Sequence, residues 1–293
     1  VPPGREAPQR PGTRTALQQD LVTTPPAPRS HRLAAAAWKI VLAVLPLGAG
    51  LAIVGTLLGS AHDVSHPATL ALRIAAGLAI SALTLAVIAL LIRSDSRQRM
   101  RDAGLTSPRS GWRLAAWGAL LWTVPAVAAF VVIGLLGVPL TVTVPAADLA
   151  QTAVLLFLAV LIAEALPEEA VFRGYITHAL GAVARGWWVI ILQALLFTAL
   201  AGFLRQSANP MDLSLFLTMG IGFGWLRMAT GSVWMSIGFH TAFQTGSQLV
   251  LTHDALAFAG GTGTAMLALG VIPFTIAATI TAAVGVPSRS GPR

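Results

Sequence analysis

The chain has 293 residues, 55% of them hydrophobic and only 10% charged, against the roughly 25% charged residues of a water-soluble domain. With a mean hydropathy of +0.75, that composition excludes a soluble globular enzyme and points to a polytopic membrane protein. The formal net charge of +8 does not point to nucleic acid, because the arginines fall in short segments between apolar runs rather than on one surface.

The absence of cysteine excludes a disulfide, a thiolate nucleophile and a Cys-bound metal, so any base or ligand must be His, Asp, Glu, Asn or Gln. Residues 1–33 are rich in Pro, Arg and Thr and hold too little apolar surface to fold. They read as a disordered cytoplasmic tail that precedes the first apolar run, not as a cleavable signal peptide.

A membrane span needs about 20 mostly apolar residues, and eight segments meet that criterion: 34–58, 68–92, 114–137, 150–172, 187–204, 211–229, 232–251 and 263–286. The fold class is therefore all-α, a polytopic membrane protein of about eight transmembrane helices. The first three spans form a unit over 34–137. The next four form a core over 150–251, followed by the last span at 263–286 and a short tail, 287–293. Only a break at Gly231 separates the sixth and seventh spans, and no fixed-period repeat is present.

Eight spans put both termini on one side. Sixteen arginines fall in segments on that side and Arg205 alone on the other, so the positive-inside rule makes both termini cytoplasmic in a cell membrane. Trp38, Trp112, Trp187, Trp188, Trp225 and Trp234 fall near cytoplasmic helix ends, as interfacial tryptophans do. Lys39 and Arg73 lie inside spans, close enough to a helix end to extend their charges to the interface. In HDVSH, His62 and His66 are four apart around Asp63. With no third ligand nearby, this reads as a solvated loop rather than a metal face.

The fourth span carries EALPEEAVFRG, Glu164 to Gly174, and charge inside a bilayer persists for a partner or a function. Glu169 and Arg173 are four apart and pair on a helix. Glu164 and Glu168 are also four apart, with no basic residue at helical spacing. Pro167 cannot donate a backbone hydrogen bond, so the helix should deform just before the Glu pair. The seventh span carries GSVWMSIGFHTAFQT, where His240 and Gln244 share a face. At 1.5 Å per residue His240 lies about 13 Å into its span and Glu168 about 9 Å from the end of its own, compatible depths for one buried site.

EEAVFRG resembles the EExxxR signature of the CPBP family of intramembrane proteases, also called the Abi or CAAX-protease family, and His240 with Gln244 resembles its third motif. The resemblance covers about 155–251. It implies that Glu168 activates a water, that Glu169 and Arg173 support it, and that His240 with the residue four later helps hold a metal or an oxyanion. The implied substrate is a membrane-embedded or prenyl-like peptide, with membrane lipids as the other partners and no nucleic acid. Some bacterial members are linked to bacteriocin self-immunity.

Two positions depart from the pattern. The middle motif, FxxxH, is here Phe197 to Ala201, with alanine in place of histidine, and Gln244 stands where Asn or Asp is usual. Zinc, if present, would have His240, Gln244 and Glu168, and an amide oxygen is a poor zinc ligand, so the metal is expected to be weakly held or absent. His178, about 15 Å along the helix from Glu168, is too distant to replace the missing ligand.

The leading expectation is an intramembrane endopeptidase. The alternative is a catalytically silent family member acting as a membrane scaffold, immunity factor or regulator, which Ala201 favours. A transporter would show repeated halves. There is no HExxH and no intramembrane aspartate pair, and Ser236 with His240 lacks the turn of a nucleophile elbow.

Overall fold

The computed structural model describes residues 29–59, 63–95 and 98–287, with the backbone alone for 29–33 and 59. Of the disordered tail expected over 1–33, residues 1–28 lie outside the described residues, as do the end of the chain from 288 and His62 of the HDVSH motif, whereas 29–33 are helical, continuous with the first apolar run. His66 Nδ1 accepts from the Ala68 N–H (3.2 Å) and caps the second helix.

Among the described residues eight long helices cross the molecule: α1 Arg29–Gly59, α2 Pro67–Arg93, α3 Pro108–Leu135, α4 Ala146–Leu180, α5 Trp187–Arg205, α6 Pro210–Thr230, α7 Trp234–Leu251 and α8 Gly261–Val284. Long Ala/Leu/Val/Ile runs form helices here because a lipid environment leaves backbone groups no partner except their own. Proline stands at the first helical position of α2, α3 and α6, where its missing N–H costs nothing. Asn209 caps α6 through its side chain. Gly231, at φ +66°, ends α6 in the left-handed region and produces the break read in the sequence.

Seven of the eight helices are long and apolar enough to span a membrane. The eighth, α7, has 18 residues, but Ser236, His240, Thr241, Gln244, Thr245, Ser247 and Gln248 dilute its apolar character. It tolerates them because nearly all of it is buried inside the bundle. The two sequence-remote helices α3 and α7 run parallel at close range: a Cβ on Gly238 would overlap the Ala115 carbonyl oxygen, and one on Gly118 would overlap that of Met235. Outward-facing Leu45, Leu57, Leu83, Leu90, Val131 and Phe203 are exposed, an apolar perimeter suited to lipid. At one end of the bundle, β1 (Leu140–Val142) pairs antiparallel with β2 (Leu256–Phe258), tying the α3–α4 link to the α7–α8 link.

Two expectations about the helices are corrected. The fourth span does not end at 172 but continues to Leu180, which puts Glu168 about 18 Å from its end. Arg173 and Gly174 had the look of a helix leaving the membrane, yet Arg173 is neutralised inside the bundle, so the helix runs on. Arg73, expected to extend to the interface, instead turns inward and pairs with Glu164. Trp38, Trp112, Trp187 and Trp188 are exposed near helix ends, whereas Trp234 is packed and donates its indole N–H to the Thr106 carbonyl (3.1 Å).

Candidate active site

The site is built on an irregular stretch of α4. Leu161–Ala165 and Ala170–Ile176 are π-helical, flanking the short α-helical turn Leu166–Glu169. Pro167 accounts for part of this. The Leu166 N–H bonds back to the Leu161 carbonyl, and the next donor, at Pro167, does not exist. The Ile162 carbonyl, whose i+5 residue is Pro167, accepts from Ser81 Oγ of α2 at 2.5 Å. In the second π segment Thr177 Oγ1 donates to the Phe172 carbonyl (2.9 Å). Such π turns often mark functional sites, because they re-aim side chains without ending the helix.

The three carboxylates of this stretch have three different fates. Glu164 pairs with Arg73 of α2, and Gln248 of α7 donates to both of its oxygens at 3.2 Å while receiving Arg73 Nη1 at 2.9 Å. Glu169 is fully buried and accepts from Arg173 Nη1 (3.0 Å) and His240 Nδ1 (3.1 Å). Glu168 pairs with no arginine or lysine and makes no direct hydrogen bond among the described residues. Its Oε2 lies 3.9 Å from His240 Nε2. The acids are thus not idle groups at the interface.

Arg173 is enclosed by two aromatic rings and bonded through both terminal nitrogens, while its Nε has no hydrogen-bond partner among the described residues. Its guanidinium lies 4.4 Å from the Phe197 ring and 5.2 Å from that of Phe223, and Nη2 donates to the Met219 carbonyl (3.3 Å). His240 stacks on Phe223 at 5.3 Å with an interplanar angle of 29°. Stacking fixes the ring plane and the Glu169 carboxylate draws the Nδ1 proton. Nε2 is then the ring nitrogen directed toward Glu168.

Glu164, Glu168, His240, Gln244 and Gln248 line one cavity of about 540 Å³, which Arg73, Phe197 and Ala201 also border. The sequence-predicted residues Glu168, Glu169, Arg173 and His240 are therefore together, and Gln244 shares their cavity. Ala201 faces it with no donor atom. His178 bonds Gln98 (3.0 Å) on the far side of Arg173, and Ser236 Oγ is turned to the Val233 carbonyl (2.9 Å). Sequence reasoning missed Arg73, Gln248 and Ser81. For Gln248 a signal existed: His240, Gln244 and Gln248 repeat every four residues along one helix face.

Among the described residues no group of three or more His, Cys, Asp or Glu side chains can hold a metal ion. The available donors are Glu168, His240 and the Gln244 amide, with position 201 empty of any, and this set fits tetrahedral zinc poorly.

A polytopic helical membrane protein with a buried Glu–Arg–His cluster beside a cavity is the class these features define. Residues 150–246 match the family described as Type II CAAX prenyl endopeptidase Rce1-like. That segment, about a third of the chain, contains every residue of the cluster, and its match supports assignment to the CPBP, or CAAX-protease, family. Neither the curated proteins nor the solved structures include a match.

Proposed function

We propose that the protein is an intramembrane endopeptidase in which Glu168 acts as general base on a water that attacks a peptide carbonyl. The observation that supports this is the environment of Glu168. Unlike Glu164 and Glu169, it is left without an arginine partner, and it faces both the cavity and His240 Nε2 at 3.9 Å. That separation is too long for a direct hydrogen bond and lets a water oxygen touch both groups. Glu168 takes a proton from the water as its oxygen bonds the carbonyl carbon, and the developing oxyanion accepts from Nε2–H of His240 in its imidazolium form, oriented by Glu169 and Phe223; the C–N bond then breaks as Glu168 passes its proton to the leaving nitrogen. Arg173 is a positioning residue: it fixes Glu169, which fixes His240. Because the donor set fits zinc poorly, no step is assigned to a metal.

The test is cleavage of a membrane peptide by purified protein in detergent or vesicles. Glu168→Gln and His240→Ala should each lower kcat/KM by about 10²–10⁴-fold, the usual span for loss of a general base or acid. Chelators should have little effect. Cleavage that survives Glu168→Gln would overturn the mechanism. Zinc in the natural protein should be substoichiometric, and Ala201→His, which adds an imidazole to the same cavity wall, should raise zinc occupancy. Tight stoichiometric zinc in the unmodified protein would refute this account of position 201.

A second reading, favoured by Ala201, is a silent family member in which the Glu169–Arg173 pair serves only as scaffold. It predicts no cleavage of any peptide, with Glu168→Gln folding and binding its partners like the natural protein.

A further inference from the structure

The cavity occupies one half of the bundle. Six of its lining residues, Leu58, Thr69, Leu204, Phe216, Thr252 and Met266, lie at the end of α1, the start of α2, the end of α5, the start of α6, just past the end of α7 and the start of α8. These helix ends all belong to the same face of the bundle, the one that carries the β1–β2 pair. Among the described residues, no lining residue comes from the segments 94–107, 181–186 or 231–233 on the opposite face.

That opposite face is sealed. Beyond Glu168 stand the fully buried Glu169 and Arg173. Arg227 Nε then donates to the Arg173 carbonyl (3.0 Å), and Arg227 Nη2 reaches the Asp102 carbonyl (3.3 Å). The segment around Asp102 is itself anchored by the Val233 N–H on the Gly104 carbonyl (3.3 Å) and by the packing of Leu105 on Gly174. The connection between α2 and α3 acts as a floor under the site.

The sealed face carries the arginine-rich connections, and the open face has Arg205 as the one basic residue of its connecting segments. From these two asymmetries together we infer that the site is entered from the non-cytoplasmic face. Its substrate class, if Glu168 is the base proposed above, is an outward-facing or exported peptide segment with an apolar anchor in the bilayer. A cytoplasmic prenylated tail would meet the floor formed by Arg227 and the 98–107 segment instead of the cavity. Arg205, exposed at the mouth with its guanidinium 5.3 Å from the Phe216 ring, gives the entrance a positive rim.

The natural absence of cysteine allows a background-free test. Ala201→Cys and Ser247→Cys place single thiols in the cavity, Leu136→Cys one on the open face, and Arg101→Cys one on the sealed face. Right-side-out membrane vesicles are treated with sulfonatoethyl methanethiosulfonate, an impermeant anion, before and after permeabilisation. Both cavity thiols should react in sealed vesicles, as Leu136→Cys does, and Arg101→Cys only after permeabilisation.

Cavity thiols that react only after permeabilisation, or not at all, overturn the inference, as does reaction of Arg101→Cys in sealed vesicles. If either cavity variant fails to accumulate, Val54→Cys on α1 lines the same cavity away from the acids and replaces it. Labelling requires no turnover, so a failure here is distinct from a failure of the endopeptidase reading.

Discussion

Glu168 and Glu169 are neighbours in sequence with opposite surroundings, and this difference sets what each substitution does. Glu169 holds Arg173 and His240 in a site without exposed surface, so Glu169→Gln leaves a buried guanidinium facing a neutral amide. Removing one partner of a buried pair costs about 3–5 kcal/mol. Glu168→Gln removes a carboxylate with no arginine or lysine partner and should be neutral or stabilising. Thermal unfolding in detergent checks the contrast, and equal midpoints for the two variants would refute the division of roles. The Glu169–Arg173 pair was legible because four-residue spacing on a helix defines a contact without tertiary information. The Arg73–Glu164 pair was not, since 91 residues separate the partners and no periodicity joins them. Arg73 near a helix end looked like a charge with an easy route to water, and only the packing of α2 against α4 shows the inward alternative.

At the scale of the element, α4 combines a proline, two π segments and four carboxylates, Asp148 in its first turn and three glutamates within, yet stays continuous over 35 residues. The deformation before the Glu pair was foreseeable from Pro167, because its missing N–H is a covalent fact. The partner that compensates for it was not foreseeable, because it is a serine on another helix. Ser81→Ala should leave the Ile162 carbonyl unsatisfied in a buried setting and cost about 1–3 kcal/mol. A detergent unfolding midpoint unchanged from the natural protein would mean that another donor reaches that carbonyl. The helix end at Leu180 was hidden in the sequence for a similar reason. A charged residue after an apolar run normally signals exit from the membrane. The Phe197 and Phe223 rings that shelter Arg173 come from α5 and α6.

For the molecule as a whole, eight segments and their order were readable from hydropathy, with α7 the weakest signal because its polar residues face protein instead of lipid. The charge bias gives a testable orientation. A cytosolic reporter inserted near Arg101 should be active and an external one silent, with the reverse near Leu136. The opposite pattern at either position would invert the assignment. Arg173, which hydropathy placed in a connecting segment, leaves the count of basic residues there, and the bias stands without it.

The dependence of α4 on its neighbours also bears on how the chain is made. On its own this span would carry into lipid three glutamates, one internal arginine and a carbonyl whose i+5 residue is proline, with each acid costing roughly 2.5–3.5 kcal/mol near the bilayer centre. Its sequence makes it a poor candidate for independent partition. Two of those liabilities are met by α2, which supplies Arg73 for Glu164 and Ser81 for Ile162 and which leaves the ribosome first. The order of synthesis thus puts the acceptor for the most polar helix in place before that helix arrives, and transplanting α4 without α2 would produce a segment that the insertion machinery has reason to reject.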